Sequence, residues 1–236
     1  MADGLFDVIR SRVDTQHLWQ TVSDYFRSHH IEKISYHHLS PDMQTGKSVT
    51  VQASGFSNAW TCHYIRRKLY LVDPITELAQ SSTQAFRWSQ INTLARLSAE
   101  QQKYLLDMDA AGVGDGLAFQ VFGPGVRNGY VGLGVDDPQH FPDAAQVIEF
   151  QMVAQAAHLR YCELNPVGLE QGDLSPRERQ ILRWIARGKS NSTIADILSL
   201  SPHTVDTLVR RIFGKLGVAD RTTAAVQGVG AGLIVP

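Results

Sequence analysis

The last quarter of the chain carries helix start and stop signals at short intervals, and this density constrains the fold more than any other feature. Ser175, Pro176 and Glu178 supply an N-cap hydroxyl, a proline at the first helical position and the carboxylate of a capping box. Further helix starts and left-handed stops follow at Gly188, Ser190, Ser201, Pro202 and Gly217. The segment therefore predicts three helices, and RTTAAVQGVGAGLI predicts a fourth.

The second and third of these helices are joined by the stretch SLSP, residues 199–202, which leaves room for only a few non-helical residues. Helices joined so tightly must cross at a steep angle, as in a helix-turn-helix. The third helix carries an apolar stripe at Val205, Leu208, Val209, Ile212 and Leu216. That stripe predicts which face of the third helix is buried in the bundle.

The remaining faces of this helix-turn-helix carry hydroxyl, imidazole and basic side chains. We predict DNA contacts from Lys189, Ser190, Ser201, His203, Thr204, Thr207, Arg210, Arg211 and Lys215. Guanidinium groups bind phosphates or guanine, and hydroxyls at the start of a recognition helix meet base edges. From Asp173 onward the chain has a net charge of +4 and the rest has −5, which favours an anionic partner for the tail. A small helical bundle with a solvated polar face is the alternative.

Residues 174–234 resemble the LuxR-type (GerE-like) helix-turn-helix. They match its LTxRExxVL start, its GxSxxxIAxxL middle, its SxxTVxxHxxxIxxKLG recognition helix and its RTxAV close. Two positions depart from that pattern, because Leu208 stands where the family usually has histidine and Arg211 where it often has asparagine. Leu208 falls on the apolar stripe, and Arg211 adds a positive charge near the DNA backbone. The resemblance implies a transcription factor that binds promoter DNA.

The preceding residues predict a separate α+β domain. Asn-Pro and two glycines in ELNPVGLEQGDLSP break the helical pattern, so the predicted domains are residues 1–165 and 174–236, with a linker at 166–173. A helix over TQHLWQTVSDYFRSH, strands over KISYHHLS and SVTVQAS, and helices through Leu106 come first. GLAFQVFGPGVRNGYVGLGVDD then predicts a hairpin with Asn128-Gly129 at its turn. Helices around a short antiparallel sheet predict an α/β/α sandwich that holds a small molecule, followed by an all-α, four-helix helix-turn-helix domain.

Residues 1–165 resemble the autoinducer-binding domain of quorum-sensing regulators, whose ligands are acyl-homoserine lactones. The resemblance rests on the spacing W-x3-Y-x8-DP-x13-W, followed by AGVGDG; its members are Trp60, Tyr64, Asp73, Trp88 and Gly116. It implies that Trp60 donates its indole N–H to the lactone carbonyl, that Asp73 accepts the amide N–H, and that Tyr64 donates to the acyl carbonyl.

The chemistry of these side chains is consistent with such a ligand on separate grounds. An indole N–H only donates, a carboxylate only accepts, and a phenol does either, so the set suits a molecule with carbonyls and an amide. Burying a polar group without a hydrogen-bond partner costs about 2–7 kcal/mol, and burying an unpaired charge such as a carboxylate costs more. The alternative is that Trp60 and Trp88 are core aromatics and that Asp73 is a helix cap before Pro74.

Other positions qualify the expected ligand. Phe56 stands where many of these receptors have a tyrosine, and Gly134 and Val135 stand where a hydroxyl often faces the acyl group. We therefore expect few donors around the acyl group, which favours an unsubstituted, branched or aryl acyl chain. Tyr36 and His38 alternate along a predicted strand, and we expect them to face the pocket and to restore a polar contact.

The remaining signals predict neither catalysis nor a bound metal or cofactor. GVGDG and GPGVRNG lack the strand-GxGxxG-helix order of a dinucleotide site, and the carboxylates of Asp107 and Asp109 lie in a predicted helix without ligand spacing. Cys62 and Cys162 lie too far apart in the chain to indicate a zinc motif or a disulfide framework. No arrangement indicates a catalytic triad, so we expect no enzyme activity.

These features predict a ligand-responsive transcription factor. We expect a homodimer on a palindrome, with the dimer surface on AAQVIEFQMVAQAAHLRY and the last helix, and RNA polymerase is a further partner to expect. With no apolar run of about 18 residues, we expect a soluble, cytoplasmic protein without a membrane partner. Two alternatives stay open: a LuxR-type solo regulator that folds without ligand or senses a non-lactone metabolite, and a carrier or scavenger of small signals whose tail only dimerises.

Overall fold

The computed structural model describes residues 3–40, 48–166 and 174–236. These residues form two compact units. The N-terminal unit comprises residues 3–40, 49–123 and 128–164, and the C-terminal unit consists chiefly of the described residues from 165 to 236. Most of the predicted linker, residues 167–173, lies outside the described residues, so its boundaries stay a prediction.

The N-terminal unit alternates helices with strands. Its helices are α1 (Asp3–Ser11), α2 (Thr15–Arg27), α3 (Asn58–Arg66), α4 (Pro74–Ser81), α5 (Ile91–Leu94), α6 (Ala99–Ala110) and α7 (Ala144–Leu164). Its strands are β1 (Lys33–Ser40), β2 (Ser48–Ser54), β3 (Phe86–Arg87), β4 (Asp115–Val121) and β5 (Asn128–Val135). Local capping starts several helices, since the side chains of Asp14, Ser57, Asp73 and Ser98 accept backbone N–H groups at the starts of α2, α3, α4 and α6.

The strands form one sheet in the order β2-β1-β5-β4-β3. The pairs β1–β5, β5–β4 and β4–β3 are antiparallel, and the register places Tyr36 opposite Val131 and Phe119 opposite Val131 on the other side. One face packs against α1, α2 and α7 around Phe26, Phe119 and Phe150. The opposite face packs against α3 to α6. The predicted α/β/α sandwich is therefore confirmed.

The predicted turn at Asn128-Gly129 is wrong. Both residues belong to β5, where Asn128 pairs with Leu39 and Gly129 pairs with both His38 and Val121. The connection between β4 and β5 is formed by residues 122–127, in which Gly125 adopts a left-handed conformation with φ of 66°. An Asn-Gly pair is a strong hairpin signal, but residues 129–135 are all buried and Gly129 pairs with strands on both sides, so the strand extends through the pair.

The C-terminal unit is all helical in its described residues. It contains α8 (Pro176–Ala186), α9 (Asn191–Leu198), α10 (Pro202–Leu216) and α11 (Arg221–Gly230). The predicted capping box is confirmed, because Ser175 accepts the Glu178 backbone N–H and Glu178 Oε2 accepts the Ser175 N–H at 2.7 Å. Gly188 and Gly217 adopt left-handed conformations, as predicted for helix stops. Four helices with a three-residue turn between α9 and α10 confirm the helix-turn-helix.

Candidate functional site

A cavity of about 510 Å³, its open mouth included, lies between the sheet and helices α3, α4 and α6. Its polar and aromatic lining consists of Ser35, His37, Phe56, Trp60, Tyr64, Asp73, Trp88, Tyr104 and Tyr130. The rest of the lining is mainly aliphatic and includes Val51, Ile75, Met108 and Val113. A mostly apolar cavity with a few converging polar groups is the usual form of a small-molecule site.

Helix α3 brings Trp60 and Tyr64 to the cavity from one face. The two residues are four apart, so their side chains lie one above the other on the helix. Both are 8% exposed, and their ring centroids are 6.2 Å apart. The helix begins at Ser57, whose hydroxyl accepts the Trp60 backbone N–H at 3.2 Å. The cap therefore sets where the pair points.

Asp73 connects three elements of this unit. Its Oδ1 accepts the backbone N–H groups of Ile75 at 2.9 Å and Thr76 at 3.4 Å, so it caps α4. Its Oδ2 accepts the hydroxyls of Tyr64 at 2.8 Å and Tyr104 at 3.0 Å. Helix cap and cavity residue were alternatives in the sequence, and this carboxylate is both.

Burial is the main electrostatic influence on this cluster. Desolvation raises the pKa of Asp73 above its ordinary value, although hydrogen bonds from Tyr64 and the α4 backbone oppose it. Burial, with the nearby carboxylate, also raises the pKa of Tyr64 and Tyr104 well above the ordinary range of tyrosine. Both phenols therefore keep their protons at neutral pH and donate to Asp73.

Trp88 lies against the sheet at the other side of the cavity. A Cβ at Gly116 would be 2.9 Å from the Trp88 Cη2, and one at Gly134 would be 3.2 Å from it, so both glycines make room for the indole. The Trp88 indole N–H lies near the Tyr130 hydroxyl but lacks the geometry of a hydrogen bond to any described residue. This buried donor is available to an acceptor on a ligand. Gly116 therefore provides space for the Trp88 ring and does not line the cavity itself.

The prediction that Tyr36 and His38 face the cavity is wrong. Successive side chains of a strand point to opposite faces, and β1 directs Ser35 and His37 into the cavity. Tyr36 and His38 instead contact His158 and Tyr161 on the other face. Val135 also belongs to the core on that other face. Sequence alternation does not identify the cavity face here, because residues 34–38 are all buried.

The structure adds four polar groups that the sequence analysis missed, namely Ser35, His37, Tyr104 and Tyr130. A side chain at Gly132 would overlap the hydroxyls of both Ser35 and Tyr130, so glycine there lets the two hydroxyls meet. Positions 134 and 135 supply no hydroxyl, yet the cavity is richer in donors than the sequence suggested. The phenols are 31 and 57 residues from Asp73 in sequence, and no local spacing signals such distant contacts.

His37 is an uncharged member of the lining. Desolvation lowers its pKa to about 3, so the imidazole is neutral at physiological pH. Its ring lies 4.9 Å from the Tyr130 ring and 5.6 Å from the Tyr64 ring, measured between centroids. A neutral imidazole provides one donor and one acceptor to a ligand.

The helix-turn-helix presents most of its predicted DNA contacts to solvent. Lys189, Ser190, Ser201, His203, Thr204, Arg210 and Arg211 are exposed, and Thr207 is half-buried. Leu208 is also half-buried and packs against the core of the C-terminal unit, as predicted from the stripe. The Ser190 and Ser201 side chains cap α9 and α10. These two hydroxyls therefore have structural roles besides any contact with DNA.

Lys215 has a partner inside its own unit. Its Nζ donates to Glu178 Oε2 at 2.8 Å, and the Glu178 side chain is only 4% exposed. Burial alone would raise the pKa of Glu178, but the hydrogen bonds from Lys215 and Ser175 hold that pKa below its ordinary value. Lys215 therefore ties α10 to the start of α8, a role that the sequence analysis did not anticipate.

No group of three or more His, Cys, Asp or Glu side chains in residues 3–40, 48–166 and 174–236 is arranged to hold a metal ion. Within the same ranges, every helix is too short or too polar to cross a lipid bilayer.

Comparison with known proteins identifies relatives of both units. The sequence matches the family described as "Autoinducer binding domain" over residues 14–161 and the family described as "Bacterial regulatory proteins, luxR family" over residues 173–227.

Two curated proteins illustrate the similarity. The quorum sensing-dependent transcriptional regulator RpaR of Rhodopseudomonas palustris is 27% identical over 210 residues, covering 82% of this chain and 79% of RpaR. The transcriptional activator protein AnoR of Acinetobacter nosocomialis is 25% identical over 211 residues, covering 86% of this chain and 87% of AnoR.

A solved structure shares the fold. Escherichia coli SdiA in complex with octanoyl-rac-glycerol superimposes with a TM-score of 0.79 at 19% sequence identity. The superposition covers 98% of this chain and 93% of SdiA. At this identity the likeness establishes the fold alone.

Proposed function

Because the chain belongs to the LuxR-type regulators, which combine an autoinducer-binding domain with a luxR-family DNA-binding domain, we propose that its signal is an acyl-homoserine lactone and that it binds palindromic promoter DNA as a homodimer. Members of this family are transcription regulators, not enzymes. The observation that carries the ligand proposal is the convergence of Trp60, Tyr64, Asp73 and Trp88 on one cavity.

The hydrogen-bond arrangement suggests how such a ligand enters. Both oxygens of Asp73 already accept hydrogen bonds, two on each oxygen. The ligand's amide N–H must therefore share an oxygen with a phenol or replace one. If it replaces Tyr64, that hydroxyl turns to donate to the acyl carbonyl, while Tyr104 keeps its bond to Asp73. The amide thereby gains a charge-assisted hydrogen bond to the carboxylate.

The other polar groups place the two ends of the ligand. The Trp60 indole N–H would donate to the lactone carbonyl, as the family resemblance implies. Near the sheet, Tyr130, Ser35 and the Trp88 N–H lie beside aliphatic walls that include Val113. The aliphatic walls suit the carbons of an acyl chain, and the hydroxyls and the indole N–H can donate to an oxygen on that chain, so the reason to expect an unsubstituted chain no longer holds. A charged acyl group is excluded, because a lone buried charge is costly.

A thermal melt of the full chain with a panel of acyl-homoserine lactones tests the ligand. A ligand that binds only the folded state stabilises it by RT ln(1 + [L]/Kd), about 4 kcal/mol at a thousandfold excess over Kd. That corresponds to an upshift of roughly 8–16 °C for a chain of this size. We expect one acyl group to give the largest shift, and Trp60→Phe and Asp73→Asn to abolish it.

The control for Asp73→Asn is Asp14→Asn. Both residues are N-caps, of α4 and α2, but only Asp73 lines the cavity. Asp14→Asn should keep the ligand-induced shift. The acyl-homoserine lactone proposal fails if no lactone in the panel raises the melting temperature of the well-folded protein. It also fails if Asp73→Asn and Asp14→Asn lose the ligand-induced shift equally.

A non-lactone acyl ester is the second candidate ligand. The structural relative SdiA has been solved with octanoyl-rac-glycerol, an ester without a lactone or an amide. An ester lacks the N–H that Asp73 would accept, so its shift should persist in Asp73→Asn. Including monoacylglycerols in the panel therefore separates a solo regulator of this kind from a lactone receptor.

Exposed apolar residues on α7 support the homodimer. Ile148, Met152 and Leu159 are 60%, 56% and 44% exposed, and their spacing places them along one side of the helix. We expect Met152→Glu to weaken dimers in sedimentation velocity. The matched control is Leu106→Glu on α6, because Leu106 is 70% exposed but lies on a different helix. A protein that stays monomeric while it binds a palindromic operator would contradict the dimer.

DNA binding by the exposed face of α10 is tested with a palindromic duplex at several salt concentrations. Each phosphate contact contributes about 0.9 to the slope of log K against log salt concentration. Arg211→Ala should lower that slope by about 1, whereas Arg183→Ala, exposed on α8, should leave it unchanged. Lys215→Ala is unsuitable, because it also removes the cation that pairs with the buried Glu178 carboxylate. RNA polymerase as a partner stays a prediction.

A further inference from the structure

A second cavity lies on the opposite face of the sheet. It has a volume of about 450 Å³, its open mouth included, and lies between the sheet and helices α2 and α7. All of its lining residues belong to the N-terminal unit. Alternation along β1 separates the two cavities, since Ser35 and His37 line the first while Ile34 and Tyr36 line the second. A ligand in one cavity therefore contacts different side chains from a ligand in the other.

The second cavity is partly open, so its volume of about 450 Å³ includes solvent at the mouth. The core around this cavity is otherwise dense, because Phe26 and Phe150 pack edge to face with ring centroids 5.5 Å apart. An open cleft with a mostly apolar lining beside such packing has the form of a small-molecule site.

The walls of the second cavity are largely aromatic and aliphatic. Trp19, Phe26, Tyr36 and Tyr161 contribute rings, and Leu18, Val22, Val131 and Ala157 contribute aliphatic surface. Thr15 and Gln52 add a hydroxyl and an amide, and both are half-buried. The described lining contains no Asp, Glu, Lys or Arg. A charged ligand would therefore be desolvated without compensation.

A buried polar pair holds the inner wall in position. The Tyr36 hydroxyl and His158 Nδ1 are 2.8 Å apart, and His158 is 1% exposed. His158 Nε2 lies 3.7 Å from the Cys162 Sγ. If Tyr36 donates to Nδ1, the neutral ring carries its proton on Nε2 and directs it toward the sulfur. These contacts make the wall a preorganised surface and limit its collapse into the space.

Gly129 is part of the same construction. A Cβ at this position would lie 3.0 Å from the Tyr36 Cε2 and 3.2 Å from His158 Nδ1. A Cβ there would require the tyrosine and the histidine to shift by a few tenths of an ångström. The glycine in β5 therefore permits the contact between Tyr36 and His158 that supports the wall.

We infer that this second cavity binds a flat, uncharged aromatic molecule that carries one hydroxyl group. Flat rings stack favourably on or against Trp19 and the tyrosines, in offset or edge-to-face geometry. The Thr15 hydroxyl and the Gln52 amide provide a donor and an acceptor for the ligand's hydroxyl. The site is separate from the proposed autoinducer cavity and does not depend on the identity of the autoinducer.

Fluorine NMR of the full chain labelled with 5-fluorotryptophan tests this site, with 2-naphthol as the probe. The four tryptophans divide between the regions, since Trp19 lines the second cavity, Trp60 and Trp88 line the first, and Trp184 lies in α8. Single Trp→Phe variants assign the signals. We expect 2-naphthol to shift the Trp19 signal in a saturable way at concentrations that leave Trp60, Trp88 and Trp184 unchanged.

Filling the cavity provides the matched comparison. Ala157→Leu adds a side chain that occupies the second cavity, whereas Ala145→Leu adds the same atoms at an exposed position of the same helix. We expect Ala157→Leu to raise the apparent Kd of 2-naphthol at Trp19 at least about tenfold, and Ala145→Leu to leave it unchanged.

The assignment to this cavity is overturned by any of three results. The first is a Trp19 signal that stays constant up to the solubility limit of the probe. The second is a shift confined to Trp60 or Trp88, which would place 2-naphthol in the first cavity only. The third is a Trp19 shift with the same apparent Kd in Ala157→Leu as in the wild type. The first two are read in the wild-type protein, so they do not depend on the folding of a variant.

Discussion

The interiors of the two domains differ in what they bury. The DNA-binding domain has an aliphatic core around Ile181, Leu182 and Ile212, with buried Glu178 at its edge, paired with Lys215. The autoinducer-binding domain buries Asp73 and His37 beside tyrosine hydroxyls and around an open cavity. The first interior is built for packing. The second keeps polar groups and space for a ligand, and each of those features costs stability when the space is empty.

This difference separates stability from function along the chain. In the DNA-binding domain, a single substitution in the core should cost free energy without altering ligand chemistry. In the autoinducer-binding domain, Tyr64 and Asp73 are proposed to bind the signal, and burial also shifts the pKa of both groups. The following substitutions test the contrast.

The largest expected effect is on the packed interior of the DNA-binding domain. Ile212 is 0% exposed, so Ile212→Ala should lower the free energy of unfolding of this domain by about 2–5 kcal/mol through lost burial and the cavity left behind. Urea unfolding followed by hydrogen exchange of α8 and α10 amides measures the loss. Ile197→Ala is the control, because Ile197 is 42% exposed on α9. Equal losses in the two variants would mean that this interior is not closely packed.

The next effect concerns a titrating group in the autoinducer-binding domain. The pKa of His37 is lowered to about 3 in the folded protein, while an unfolded histidine titrates near 6.5. The unfolded state therefore binds more protons between these values, and stability falls as pH drops below about 6.5. For this one group the loss at pH 5, relative to pH 7.5, is about 2 kcal/mol.

His37→Gln should accordingly flatten the dependence of stability on pH by about 2 kcal/mol between these two conditions. Urea unfolding at pH 5 and pH 7.5 gives the comparison, with His63→Gln, at an exposed position of α3, as the control. A wild-type slope that survives in His37→Gln would assign the acid sensitivity to other residues. The contrast between the two interiors would then lose one of its two buried titrating groups.

The smallest expected effect tests whether a helix N-cap contributes the same stability in both domains. Ser175 and Ser98 both form complete capping boxes, at the starts of α8 and α6. Changing either serine to alanine should lower the free energy of unfolding by about 1 kcal/mol. In each case the backbone N–H three residues later, of Gln101 or Glu178, loses its acceptor. Parallel urea titrations compare the two variants directly. A cost several-fold larger at Ser98 would show that local capping, as well as the interior, distinguishes the domains.

Local chemistry explains where the sequence analysis succeeded. The capping box at Ser175, the stops at Gly188 and Gly217, and the stripe through Val205 and Ile212 depend on residues within a few positions of one another. Such interactions are specified by spacing alone, so the helix-turn-helix was predicted correctly.

Failures occurred where a choice depended on residues far apart in sequence. Asn128-Gly129 has the composition of a turn, but pairing with β1 and β4 extends β5 through it. Tyr36 and His38 differ from Ser35 and His37 only by a shift of one residue. With both faces of β1 buried, no polar alternation indicates which pair faces the cavity.

By itself, the sequence determined the helices of the DNA-binding domain with their caps, the two-domain class and the W-Y-D-W constellation, because each depends on short-range spacing or on a motif with few alternatives. Tertiary structure alone decided that Tyr104 joins Tyr64 on Asp73, that Ser35 and Tyr130 meet above Gly132, and that a second cavity lies behind the sheet. These features arise when helices pack on the two faces of a sheet whose register is set by long-range pairing. Their energies come from contacts between residues that the chain brings together only in the folded state.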